Sequence, residues 1–133
     1  MTVSKPVKFE CHCPILSVRS VPDSIAYYVE KLGFEKNWDW GNPVTFGSVI
    51  RDDVAIFFCE EGQGKPGTWM SIFVDDVDAL YEDYKQRGAI IRQPPTNFSW
   101  GMREMNVEDP DGHRLRIGTG TDSPADGVPL GGD

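Results

Sequence analysis

The sequence predicts an α+β fold built from two tandem β-α-β-β-β units, and three observations carry that prediction. A strand, a capped amphipathic helix and a glycine stop occur twice, about 55 residues apart. Three strand-like segments follow each helix. Helix and strand alternate too sparsely for a doubly wound parallel sheet.

The first unit opens with the apolar stretch 14–18, followed by Ser20, an N-cap residue type, with Asp23 three positions on in the manner of a capping box. Ile25, Tyr28, Val29 and Leu32 then fall at i, i+3, i+4 and i+7, one stripe of a helix, and Gly33 is the expected stop. Strands are expected at 34–40, 45–50 and 54–59, with turns at Gly41-Asn42-Pro43 and Asp52-Asp53. The second unit repeats the order. A strand at 69–74 leads to Asp75 as the expected cap, a stripe of Val77, Leu80, Tyr81 and Tyr84, and a stop at Gly88. Strands follow at 89–92, 102–107 and 114–118, the last two joined by the turn Asp109-Pro110-Asp111-Gly112. The units span about 9–62 and 67–120 within one domain at 9–120. Residues 1–8 are expected to be flexible. The segment 121–133, rich in Gly, Pro and Asp, is expected to be disordered.

Composition narrows the partners. The 133 residues carry 13 Lys and Arg against 21 Asp and Glu, a formal charge of −8. Such a field repels polyphosphate backbones and attracts cationic small molecules, so no nucleic-acid partner is expected. No apolar run approaches membrane-spanning length, so no membrane partner is expected either. Three cysteines, two of them at Cys11 and Cys13, do not suggest a disulfide framework. With no signal-peptide pattern at the N-terminus, the expected compartment is the cytoplasm.

The order β-α-β-β-β twice over, with the segments PILSVRSVPDSIAYYVEKLGF at 14–34, VDDVDALYEDYKQRGA at 74–89 and WGMREMNVEDPDGHRLRIG at 100–118, resembles the vicinal oxygen chelate superfamily. That group contains glyoxalase I, extradiol dioxygenases, and fosfomycin- and bleomycin-resistance proteins. The bleomycin-resistance-like branch is the nearest in appearance, because Trp100-Gly101 likewise precedes the Asp-Pro-Asp-Gly turn. The resemblance implies two curved sheets forming a cup, often completed by a homodimer. In metal-dependent members the first and last strand of each unit supply His, Gln or Glu ligands.

Carried onto this chain, those ligand positions fall on Cys13, Ile56, Trp69 and Arg116. Only Cys13 can hold a metal, and the fixed charge of Arg116 opposes one. No catalytic metal or other cofactor is therefore expected, with a divalent ion as the alternative. A register slip would bring in His12 and Glu60, yet the second unit would still lack ligands. His113, just after the turn, is expected at the solvent edge. Cys11-His12-Cys13 is too short a set for tetrahedral zinc, and neighbouring strand residues face opposite ways. Ser24, Ser71 and Ser99 lack a nucleophile elbow. The segment 62–67 lacks the Gly-Lys-Ser/Thr ending of a phosphate loop and reads as a linker.

The aromatic residues are the more informative group. Trp38, Trp40, Phe46, Trp69, Phe98 and Trp100 cluster around strands expected to line the cup, where flat rings can stack on planar or cationic ligands. Arg116 joins them as a candidate. On a strand it needs an anionic partner, either Glu104 from the neighbouring strand or a ligand carboxylate or phosphate. The reading is a protein that binds or sequesters a small planar or cationic molecule without catalysis. A metal-dependent lyase, isomerase or dioxygenase is the first alternative, and a structural or regulatory dimer with a filled cup the second.

Overall fold

A computed structural model of the chain describes residues 6–61 and 63–127. The elements run β1 Ile15–Ser17, α1 Val21–Leu32, β2 Glu35–Trp40, β3 Phe46–Arg51, β4 Val54–Cys59, β5 Trp69–Phe73, α2 Val77–Arg87, β6 Ile90–Asn97, β7 Met102–Glu108 and β8 Arg114–Gly120. This is the expected α+β order, twice over. The strands form two four-stranded sheets, β1-β4-β3-β2 and β5-β8-β7-β6. In each, the first strand of the unit pairs parallel with the last and the remaining pairs are antiparallel.

Local chemistry sets the helix ends. Ser20 Oγ accepts from Asp23 N at 3.2 Å, and Glu60 Oε2 takes the next free amide, Val21 N, at 2.8 Å. Gly33 closes α1 with φ +75°, and Gly88 closes α2 with φ +78°. The cap of α2 is Asp76, not the expected Asp75: Asp76 Oδ1 accepts from Ala79 N at 3.0 Å, while Thr119 Oγ1 accepts from Val77 N at 2.9 Å. Two adjacent aspartates have the same capping chemistry, so only the helix register separates them.

The strand expected at 89–92 continues to Asn97 through Pro94 and Pro95. Those prolines are tolerated because β6 is the outer strand of its sheet, where missing amide donors cost no ladder bond, and register shifts after Ile91 and Gln93 accommodate them.

Each helix covers one face of its own sheet, and the two covered faces share one core. Leu16, Tyr28, Ile56 and Phe58 from the first unit join Tyr84, Met105, Leu115 and Ile117 from the second. At roughly 25 cal/mol per Å² of apolar area, this burial is the main stabilising term. β3 approaches α1 closely at Gly47, where a Cβ would stand 3.0 Å from both Val21 and Ile25 side chains.

Polar bonds stitch the units together. Tyr28 Oη donates to Asp109 Oδ2 at 2.9 Å, Tyr27 Oη donates to Glu108 O at 2.7 Å, and Arg19 Nε meets Asp111 Oδ1 at 2.9 Å. His113, expected at the solvent edge, is fully buried at this seam. Its Nδ1 accepts from Thr68 N at 3.0 Å, which leaves Nε2 to donate to Ser17 O at 2.7 Å. The turn carries it inward because Asp109 Oδ1 accepts from both Asp111 N and His113 N. Of the tail, Thr121 N donates to Gly101 O, and Asp126 exchanges bonds with Asn97. Residues 128–133 of the tail and 1–5 of the N-terminal eight lie outside the described residues.

Candidate functional site

With one face of each sheet under a helix, the opposite faces present side chains of the other parity. On the first sheet Trp38, Phe46 and Phe57 form a mutual cluster, with ring centroids 5.1, 5.0 and 6.0 Å apart and edge-on geometry throughout. Cross-strand pairing produces it: Trp38 stands opposite Ser48, Ser48 opposite Phe57, and Phe46 opposite Trp40. Trp40 shares this face but lies on the outer strand, 69% exposed.

Phe57 is the member the sequence reading missed. The position carried over for that strand, Ile56, faces the helix and is fully buried in the core, next to Val49. A neighbour in a strand points the other way, so the helix-free face receives Phe57 and Cys59 instead. The signal lay in Val49 and Ile56, two β-branched core residues that pair across β3 and β4, but it needs the register to be read.

The helix-free face of the second sheet is charged. Arg114 donates to Glu108 Oε1 at 2.9 Å and to Asn106 Oδ1 at 3.3 Å, and Arg92 shares Glu108. The Arg92 bond, with Arg114 beside it, holds the Glu108 carboxyl below the usual carboxylate range. Arg116 Nη2 contacts both Glu104 oxygens, at 3.1 and 3.3 Å. Of the two partners open to Arg116 in the sequence, Glu104 is thus present. Gly118, directly across from Glu104, leaves room for its side chain, since a Cβ there would come 2.6 Å from Glu104 Cγ.

Both arginines lie against tryptophans: Arg114 is 5.4 Å from the Trp69 ring centre and Arg116 is 5.8 Å from that of Trp100. Trp100 in turn stacks on Phe98, 4.7 Å away and nearly parallel. Phe98 is buried and Trp100 half exposed. The predicted residues therefore form two groups, Trp38 with Phe46 and Phe98 with Trp100 and Arg116, while Trp40 stands across from Phe46 and Trp69 lies against Arg114. No ring contact joins the groups among the described residues.

The donor set does not suit a divalent ion. Glu60 is spent on the α1 terminus, His113 on the seam, and Glu104 and Glu108 on guanidiniums. His12 and Cys11 are exposed and Cys13 is half-buried. No group of three or more His, Cys, Asp or Glu able to hold a metal occurs among the described residues. A separate groove of about 620 Å³ lies between the β3–β4 hairpin and α2. Its rim is acidic, with Asp53, Asp75 and Asp83, and its arginines serve structure, Arg51 bonding Leu32 O and Arg87 bonding Asp83. Among the described residues no helix is long and apolar enough to cross a membrane.

Comparison with known proteins agrees with this architecture. The family described as Glyoxalase/Bleomycin resistance protein/Dioxygenase superfamily matches residues 11–117. A bleomycin-binding protein from the bleomycin producer Streptomyces verticillus, solved with copper(II)-bleomycin, is similar at 27% identity with a TM-score of 0.73, over 86% of this chain and 99% of that one. A superfamily member from Sphaerobacter thermophilus is similar at 26% identity and TM-score 0.71, covering 84% of this chain and 98% of that one. TioX from Micromonospora sp. ML1 shares the fold at 19% identity and TM-score 0.73, over 84% of this chain and 99% of that one. No curated protein sequence matches the chain.

Proposed function

The chain belongs to the Glyoxalase/Bleomycin resistance protein/Dioxygenase superfamily, and from that premise we propose that it binds or sequesters a small planar molecule over its helix-free sheet faces, without a catalytic metal. One observation carries the reading: large rings stand on or beside those faces at Trp38, Trp40, Phe46, Trp69 and Trp100, and two of the positions at which the resemblance puts ion ligands hold Trp69 and Arg116, neither of which can donate an electron pair to an ion. Stacking on such rings contributes on the order of 1 kcal/mol each. The formal charge of −8 favours a neutral or cationic ligand over an anionic one. The bleomycin-binding neighbour, solved with copper(II)-bleomycin, supports a small-molecule role. The three free cysteines suit work in the reducing cytoplasm.

Tryptophan fluorescence tests this. A panel of planar aromatic compounds, neutral and cationic, is titrated into the purified protein, and saturable quenching by at least one is expected. Trp100→Ala then weakens that binding roughly 2- to 10-fold, the value of one stacked ring. Absence of quenching across the panel defeats the proposal in favour of a filled cup. Stoichiometric uptake of Ni²⁺, Mn²⁺ or Fe²⁺ defeats its metal-free part and points to an enzyme.

A further inference from the structure

The charged face of the second sheet contains two buried donors with no acceptor among the described residues, Asn106 Nδ2 and Arg116 Nε. Asn106 is 1% exposed, so its amide cannot turn to solvent for a partner. The two residues are direct cross-strand partners in the β7–β8 ladder, which sends both side chains off the same face as neighbours. The amide orientation is determined by its surroundings. Arg114 Nη1 can only donate, so the oxygen of Asn106 must face it and the NH₂ group points away. A guanidinium N–H and an amide NH₂ cannot satisfy each other. Native proteins pair nearly all such buried groups, and leaving one bare costs more than a hydrogen bond returns.

What is missing is therefore an acceptor, and its charge can be inferred. Arg116 already lies against the Glu104 carboxylate through Nη2, and Glu104 is itself buried. A second carboxylate would meet a neutralised guanidinium in a protein of formal charge −8. A carbonyl oxygen brings two lone pairs and no charge, which matches two donors from one side. Trp100, over the Arg116 guanidinium and stacked on Phe98, supplies a flat wall beside that point. Resting on the ring-binding function proposed above, we propose that Asn106 Nδ2 and Arg116 Nε together hold the carbonyl oxygen of a neutral aryl amide, ketone or quinone whose ring packs at Trp100. The donors are shielded from solvent and Trp100 lies over the guanidinium, so entry displaces this ring, which is half exposed on the turn before Gly101.

The test compares 2-naphthamide, 2-naphthoate and naphthalene, with affinities from ligand-detected NMR and the side-chain ¹⁵N–H signals of Asn106 and Arg116 followed in the same samples. The amide is expected to bind roughly tenfold tighter than naphthalene, from two added hydrogen bonds, and to move both side-chain signals. Asn106→Leu and Arg116→Lys are each expected to bring the amide-to-naphthalene ratio close to one, with amide-proton dispersion confirming the fold. If one of them unfolds, the wild-type signals and the other variant decide. Equal binding of amide and naphthalene with both signals still overturns the subsite while leaving the ring site standing. Preference for naphthoate overturns the choice of a neutral acceptor. If no naphthalene compound binds, the ring reading fails, and N-methylacetamide at high concentration then judges the donor pair alone: movement of both signals supports it, and stationary signals with a bound-water cross-peak mean that water is the only acceptor.

Discussion

Asp109 shows how much a single side chain can organise. Its two oxygens accept from Tyr28 Oη, Asp111 N and His113 N, all between 2.9 and 3.0 Å, and the residue is 1% exposed. Burial pushes its carboxyl above the usual range, opposed chiefly by His113 and by the Tyr28 hydroxyl. Asp109→Ala strips three donors of their acceptor at once and is expected to cost about 2–4 kcal/mol, measured by urea unfolding. A loss below about 1 kcal/mol would mean the seam between units does not depend on this carboxylate. Residue identity was legible here, since a turn was expected at Asp109-Pro110-Asp111-Gly112 and Gly112 has φ +81°. The inward direction of His113 was not, because its partners, Ser17 and Thr68, lie far away in sequence.

Among the elements, α2 offers the sharpest check of register. Asp76 accepts from Ala79 N, whereas Asp75 accepts no such bond. Asp76→Ala is expected to lower stability by about 1 kcal/mol and Asp75→Ala to stay within about 0.5 kcal/mol, both read from thermal or urea unfolding. Equal losses would contradict the assigned cap. Amphipathic stripes and glycine stops made both helices readable, because a period of 3.6 and a left-handed stop are local properties. The extent of β6 was not readable. Proline forbids a central strand but not an outer one, and sheet order is decided by strands elsewhere in the chain.

Across the whole molecule, the covered sheet faces are closed while the helix-free ones are not. Trp40, Trp69, Phe73 and Trp100 are 69%, 47%, 76% and 50% exposed, and Ile15 and Ile90 are also open. Apolar rings on sheet faces favour association with a second copy of the chain. A homodimer, twice the chain mass of 14.9 kDa, is expected by light scattering at micromolar concentration. A stable single-chain mass would count against it and would confine any ligand to one face at a time.

The candidate site divides along the same line. Trp38, Trp40, Phe46, Trp69, Phe98, Trp100 and the Arg116–Glu104 pair could be named as candidates from residue type and place along the chain, for aromatic size and a permanent charge are carried by the side chain itself. Phe57 took the place of Ile56, and Asn106 came into view, only through strand register. A shift of one position exchanges the covered and open faces of a strand, and that register is set by hydrogen bonds to distant partners. The chain by itself thus determined its two repeated units, its helices and its stock of rings and charges. Three-dimensional pairing decided which of them share a surface, because which faces the helices cover is a property of the packed sheets and of no single segment.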